Sequence, residues 1–198
     1  MSKGIDVSFW NGLHVNWQAV KSAGYDFAYI KASEGTGRIE PNAITQDSEA
    51  ILAGLKVGYY HFAHLGEDNA ATEAALFDQV LSKGDYQLIP VVDVETNKSS
   101  LAPAAFTQWI ADFVSALRAK GHSRVMIYAG TYLMNTSLLP NQVLADCPLW
   151  LADYEASAHI PHGWSQYVIW QNTDKGQIPG INGAFDVDLC PDLSLITL

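Results

Sequence analysis

Asp93 and Glu95 stand two residues apart in the run Pro90-Val91-Val92-Asp93-Val94-Glu95. Residues two apart on a strand point to the same face. At about 3.3 Å per residue, their Cβ atoms lie roughly 6.5–7 Å apart. Two carboxylates this close beside an apolar strand titrate apart, one ionised and the other held protonated near neutral pH. That division suits glycoside hydrolysis, in which one acid protonates the leaving oxygen and the other stabilises an oxocarbenium-like transition state. An isolated D-x-E is more often a pair of exposed carboxylates at a strand end, because short motifs recur by chance. Other short β-rich runs also end in polar groups: Asp6 and Ser8, Lys31 to Glu34, Tyr60 to His64, Tyr128, Asp153, Gln171, and Asp186 with Asp188. Six Trp and nine Tyr are many for 198 residues. Aromatic planes pack on the C–H faces of sugars, and Tyr and Trp add a polar edge. Tyr60, Phe62, Tyr128, Trp150 and Trp170 lie in or beside the strand ends, where parity lets about half of them face a site.

Competing chemistries find little support. The six His show no H-E-x-x-H or paired ligand spacing, and two Cys cannot build a structural zinc site. Ser8 and Ser33 lack the G-x-S-x-G elbow. Lys31 near carboxylates is an ion-pair partner before it is a Schiff-base former. No metal and no cofactor is expected. Cys147 and Cys190 leave room for one bridge between them, and two buried free thiols are the plainer reading.

Eight runs have strand character: Gly4–Ser8, Phe27–Ala32, Lys56–Phe62, Leu88–Glu95, Arg124–Ala129, Leu149–Asp153, Val168–Asn172 and Phe185–Leu189. Several are apolar without alternation, as parallel strands buried on both faces are. Helical stretches separate the first five: Trp17–Ser22, Pro41–Ala53, Asn69–Lys83 and Ala102–Lys120. In the last, Phe106, Trp109, Ile110, Phe113, Val114 and Leu117 form one stripe, with Pro103 in the first turn and Gly121 past the end. After Leu149 three strand candidates sit close together, with loops of about a dozen residues that carry Pro161, Gly163, Gly176, Pro179, Gly180 and Gly183, which oppose long helices. The pattern predicts an α/β fold: a shortened TIM-like barrel of five β/α units followed by three strands with little helix. A full (β/α)₈ barrel takes about 250 residues. An open doubly wound sheet is the alternative. It needs a Gly-rich phosphate turn after the first strand, and Ser8-Phe9-Trp10-Asn11-Gly12 is a poor one.

No linker or repeat divides the chain, so residues 1–198 read as a single domain. Hydrophobic residues at 48% supply a core. With 21 acidic and 11 basic residues the net charge is −10, which argues against nucleic-acid and polybasic membrane partners. No apolar run approaches the roughly 20 residues that span a bilayer. The N-terminus lacks a signal-peptide core, so a cytosolic product or a mature form is expected.

Seven ordered segments resemble glycoside hydrolase family 25. They are Gly4-Ile5-Asp6-Val7-Ser8, Tyr29-Ile30-Lys31-Ala32-Ser33-Glu34-Gly35, Val57-Gly58-Tyr59-Tyr60-His61-Phe62, the Asp93–Glu95 run, Leu149-Trp150-Leu151-Ala152-Asp153-Tyr154, Ile169-Trp170-Gln171, and Phe185-Asp186-Val187-Asp188. Order and number make this far more specific than D-x-E alone. The resemblance implies an N-acetylmuramidase acting on the β-1,4 bond from N-acetylmuramic acid to N-acetylglucosamine in cell-wall peptidoglycan. It puts the general acid on Glu95, and the nucleophile or the group orienting the substrate's 2-acetamido on Asp93. Asp6 and Asp186 become cleft aspartates. Tyr60, Lys31, Trp150 and Gln171 become cleft-lining positions, and the strand-end aromatics Phe62 and Tyr128 join them as expected substrate-binding residues. Residues 1–198 would then be a single catalytic domain with no separate wall-binding domain, and a monomer is expected. A phage endolysin of this kind would act from the host cytoplasm after release to the wall, and a mature form outside the cell. Two other readings stay open: a carbohydrate-binding barrel without catalysis, and a metal-dependent barrel hydrolase using Asp6, Asp93, Glu95 and Asp186.

Overall fold

The computed structural model describes residues 1–11, 15–178 and 183–198. Among the described residues nine strands form one sheet: β1 (Ser2–Val7), β2 (Phe27–Glu34), β3 (Arg38–Ile39), β4 (Lys56–Phe62), β5 (Val91–Val94), β6 (Met126–Gly130), β7 (Leu149–Ala152), β8 (Ile169–Gly176) and β9 (Phe185–Cys190). Eight of them close a barrel in the order β1–β2–β4–β5–β6–β7–β8–β9, and β9 pairs back onto β1. The two-residue β3 only folds back antiparallel on β2. Five α-helices appear among the described residues: α1 (Trp17–Ser22), α2 (Ala43–Leu52), α3 (Ala70–Leu81), α4 (Pro103–Ala119) and α5 (Thr131–Ser137). The five β/α units and the helix-poor last three strands agree with the sequence pattern. None of these helices is long and apolar enough to cross a membrane.

Helix ends follow their local chemistry. Asn69 caps α3, its side chain accepting from Thr72 N. Pro103 opens α4, and Gly121 follows it with φ +106, a conformation that suits glycine. The sequence pattern gave no position for α5, whose seven residues bury only Met134. Pro179 and Gly180 lie outside the described residues.

Strand direction differs from expectation at one place. Within the barrel, neighbours run parallel through β1, β2, β4, β5, β6, β7 and β8, but β9 is antiparallel to both β8 and β1. Eight positions separate the end of β8 from the start of β9, fewer than the dozen or so that a parallel crossover needs, which accounts for the antiparallel pairing. The start of β9 therefore lies at the same barrel end as the C-termini of the parallel strands.

Parity divides the core in two. Outward residues such as Val57, Val92 and Ile127 pack with α3 and α4 residues Phe77, Phe106 and Phe113. Inward residues, among them Phe27, Tyr29, Val91, Met126 and Ile169, fill the barrel. The C-terminal segment closes its lower end: Ile89 N donates to Ile196 O at 2.8 Å, and Arg124 donates to Leu195 O and Thr197 O. Two glycines on inward positions make room for rings. A Cβ on Gly4 would sit 2.2 Å from Phe27, and one on Gly58 would sit 2.3 Å from Tyr29. Tyr29 is locked by its hydroxyl to Ile89 O and by Trp150, whose centroid lies 4.7 Å away. Gly58→Ala should therefore destabilise the fold by about 1–3 kcal/mol, read as a lower urea midpoint.

A bulge between Lys31 and Ser33 reverses the parity of β2. Ser33 thus turns outward and meets His61 Nδ1 at 2.8 Å, while His61 Nε2 contacts Glu73 Oε2 of α3 at 2.8 Å. All three side chains are buried, and Glu73 also accepts from His64 N. Burial pushes Glu73 up to about 7 and His61 down to about 3. The set pins α3 to the barrel wall and does not reach the cleft described next.

Candidate active site

At the C-terminal end of the parallel strands the barrel interior turns polar. A cleft of about 300 Å³ opens there. In register, Phe62 of β4 lies beside Asp93 of β5, Asp93 beside Tyr128 of β6, and Tyr128 beside Trp150 of β7. One further layer of Lys31 and Tyr60 comes from β2 and β4. Strand closure sets Asp6 of β1 directly opposite Asp186 of β9, although they are 180 positions apart in sequence. Asp6, Lys31, Tyr60, Phe62, Asp93, Glu95, Tyr128, Trp150, Gln171 and Asp186 all line this one cleft. Of the five aromatic residues at strand ends, only Trp170 points away, its Nε1 donating to Asp153 O.

Asp93 is almost fully buried, and its Oδ1 has no hydrogen-bond partner among the described residues. Burial pushes its carboxyl well above the usual range, Glu95 adds to the shift, and Lys31 opposes it. Glu95, one residue past the end of β5, sits solvent-accessible at the cleft mouth. The walls still cost it hydration, and burial raises its pKa against the pull of Lys31. Asp6 is raised well above its ordinary value by burial, then by Asp188 and Asp186, while a hydrogen bond from Gln171 opposes them. Asp186 is pushed up to about 6 by burial, with Asp174 and Glu95 adding repulsion. Such a cluster of carboxyls holds protons at pH values where free ones would have lost them.

Lys31 is the cation of the described lining. Its Nζ lies 2.7 Å from Glu34 Oε2 and 4.6 Å over the Phe62 ring. Burial works to raise Glu34, but Lys31 and His64 outweigh it and hold Glu34 low. Trp150 forms the floor, its Nε1 donating to Asp188 Oδ1 at 2.9 Å. Tyr128 meets Trp150 edge-on with centroids 5.0 Å apart.

Other strand-end groups have different places. Asp188 is fully buried beneath the cleft. Asp153 organises the loop after β7 by accepting from Glu155 N and His159 N. Ser33 and His61 belong to the buried set behind the wall. Among the described residues, no group of three His, Cys, Asp or Glu side chains is arranged to hold a metal ion. Cys147 and Cys190 are separate buried thiols.

Three lining residues, Trp10, Asn11 and Tyr154, were not singled out from the sequence. Trp10 belongs to the 3-10 turn Phe9–Asn11 that follows β1. That turn ties itself down, with Ser8 N donating to Asn11 Oδ1 and Asn11 N to Ser8 O, and it leaves Trp10 83% exposed at the rim. Tyr154, 53% exposed, rises from the loop after β7. All three sit just beyond a strand, where no periodicity reports direction. Their position next to Ser8 and Asp153 was the available signal.

Comparison with known proteins gives one consistent answer. The family model described as glycosyl hydrolases family 25 matches residues 5–181. Lysozyme M1 of Streptomyces globisporus is 36% identical over 94% of this chain, which spans 66% of that relative, just under two thirds of its length. N,O-diacetylmuramidase of Chalaropsis sp is 33% identical, with 93% of this chain and 95% of the relative covered. Among solved structures, the bacterial lysozyme from Streptomyces coelicolor superposes with a TM-score of 0.85 at 32% identity, covering 96% of this chain and 92% of that one.

Proposed function

The chain belongs to glycosyl hydrolases family 25, and from that premise we propose that it is an N-acetylmuramidase that cuts the β-1,4 bond following N-acetylmuramic acid in peptidoglycan. The observation that carries this is the convergence of Asp6, Asp93, Glu95 and Asp186 in one aromatic-walled cleft. A binding barrel without catalysis has no use for two desolvated carboxyls facing one space.

In this mechanism Glu95 is the general acid and then the base. Its place at the mouth suits a leaving oxygen that departs toward solvent. Asp93 lies deeper, beside the anomeric centre, where it accepts from the N–H of the muramic acid 2-acetamido group. The free pair begins with its proton favoured on the buried Asp93, because desolvation weighs most there. An amide N–H that donates to Asp93 favours its ionised form and sends the proton to Glu95, the group that must donate it. Substrate binding thereby arms the acid. Tyr60, Phe62, Tyr128 and Trp150 supply sugar-facing walls, and Lys31 offsets part of the carboxylate charge.

Mass spectrometry of digested, purified peptidoglycan tests the activity and the bond together. The expected fragments end in a reducing N-acetylmuramic acid. Fragments ending in N-acetylglucosamine, or free peptides with intact glycan, would overturn it.

Trp10 extends the cleft as a stacking platform at its rim. Trp10→Ala should raise KM for soluble wall oligosaccharides about three- to tenfold, with kcat little changed. Its ring is exposed, so the melting temperature should not move. An unchanged KM would remove Trp10 from substrate contact.

A further inference from the structure

Gln171 of β8 is 2% exposed, yet its side chain makes three hydrogen bonds. Its Oε1 accepts from the hydroxyls of Tyr128 and Tyr154, each at 2.8 Å. Its Nε2 donates to Asp6 Oδ2 at 2.7 Å. Both phenols stay protonated, since burial raises them above their ordinary value. Each therefore has one proton to place, and Gln171 Oε1 takes both. Only the amide N–H is left to face Asp6. The opposite orientation would set an amide oxygen against a carboxylate and leave two hydroxyl protons without that acceptor.

We propose that Gln171 is a positioning residue that aims a fixed amide N–H at Asp6 and so favours the acceptor-only, ionised form of that carboxyl, with Tyr128 and Tyr154 fixing the direction of the amide. A fixed N–H donor favours the charged form of its acceptor. Asp6 needs that help, because the groups facing it push the other way: Asp186 and Asp188 on β9, Asp93 on β5, and the apolar burial itself. Tyr60 on β4 stands among the same charges. Tyr154 rises from the half-exposed rim, so the loop after β7 is tied through one amide to Asp6 inside the cleft. A group that contacts sugar and does nothing else would not need this three-way arrangement.

The inference rests on the proposed muramidase activity for its consequence, but its first test uses no substrate. Carbon NMR follows the Asp6 carboxyl through a pH titration, with Asp6→Asn identifying the signal. The variants are Gln171→Met, which keeps length and loses both polar ends, and Tyr154→Phe, which removes one of the two clamping hydroxyls. Gln171→Met should move the Asp6 midpoint up by about one pH unit, and Tyr154→Phe should move it the same way by less. In kinetics on a soluble wall oligosaccharide, the acid limb of kcat/KM should follow the same shifts. An Asp6 midpoint that stays put in both variants overturns the proposal, even if KM rises, because that pattern belongs to plain substrate contact. Should Gln171→Met fail to fold, Tyr154→Phe decides alone, since its ring and loop remain. A wild-type enzyme inactive on peptidoglycan would sink the muramidase reading and leave the titration result intact.

Discussion

Glu95→Gln should leave a folded protein whose turnover of peptidoglycan is lower by about 10²–10⁴-fold, the usual worth of general acid catalysis. The amide keeps nearly the same shape and has no proton to give a leaving oxygen. Glu95 is solvent-accessible at the cleft mouth, so little packing changes and the melting temperature should hold. The pH profile sharpens the test. Burial raises the Glu95 carboxyl, so the wild type keeps its acid protonated to a higher pH than an ordinary glutamate and loses activity as pH rises through that value. The variant should show a flat remnant with no such basic limb. Activity within a few-fold of wild type, with unchanged melting, would remove Glu95 from the role.

Much of this site could be read before any coordinates because strand geometry is rigid. Period two put Asp93 and Glu95 on one face, and the same parity put Tyr60, Tyr128 and Trp150 inside. Barrel closure brought Asp6 and Asp186 together from opposite ends of the chain. What escaped depended on irregular backbone. The bulge at Lys31 and Ser33 sent Ser33 to the outer face, and a run of β-rich residues carries no sign of one extra residue. The reversal of β9 hung on loop length and not on the strand's own sequence. Trp10 and Tyr154 sit on turns, where direction comes from local hydrogen bonds such as Ser8 N to Asn11 Oδ1. Gln171 was legible as a lining residue, but its orientation depends on two tyrosines and an aspartate that only the closed barrel assembles.

Asp93→Asn should lose turnover by about 10²-fold or more while binding soluble wall fragments within a few-fold of wild type. The amide keeps the shape and loses the charge that steadies a developing cation. It should also be more stable than the wild type at neutral pH. The folded Asp93 carboxyl is raised well above its unfolded value. Its share of stability is thus full in acid and is lost as pH rises through the folded value. Asparagine never pays that ionisation penalty, so the difference in melting temperature should be present at pH 7 and close as the pH falls. The catalytic defect bears on stereochemistry. Retaining glycosidases hold their carboxyls about 5–5.5 Å apart and inverting ones about 6.5–9.5 Å apart, and a strand D-x-E falls near the boundary, where rotamers decide. The substrate supplies its own nucleophile, because the acetamido carbonyl of muramic acid can attack the adjacent anomeric carbon. An ionised Asp93 on the acetamido N–H strengthens that carbonyl and balances the positive charge of the ring that forms. Glu95, having given its proton, then takes one from the water that opens the ring on the original face. Net retention follows, and proton NMR of the first reducing ends should show the β-anomer. An initial α-anomer means inversion, and with it Asp93 would become the base that activates a water on the far face.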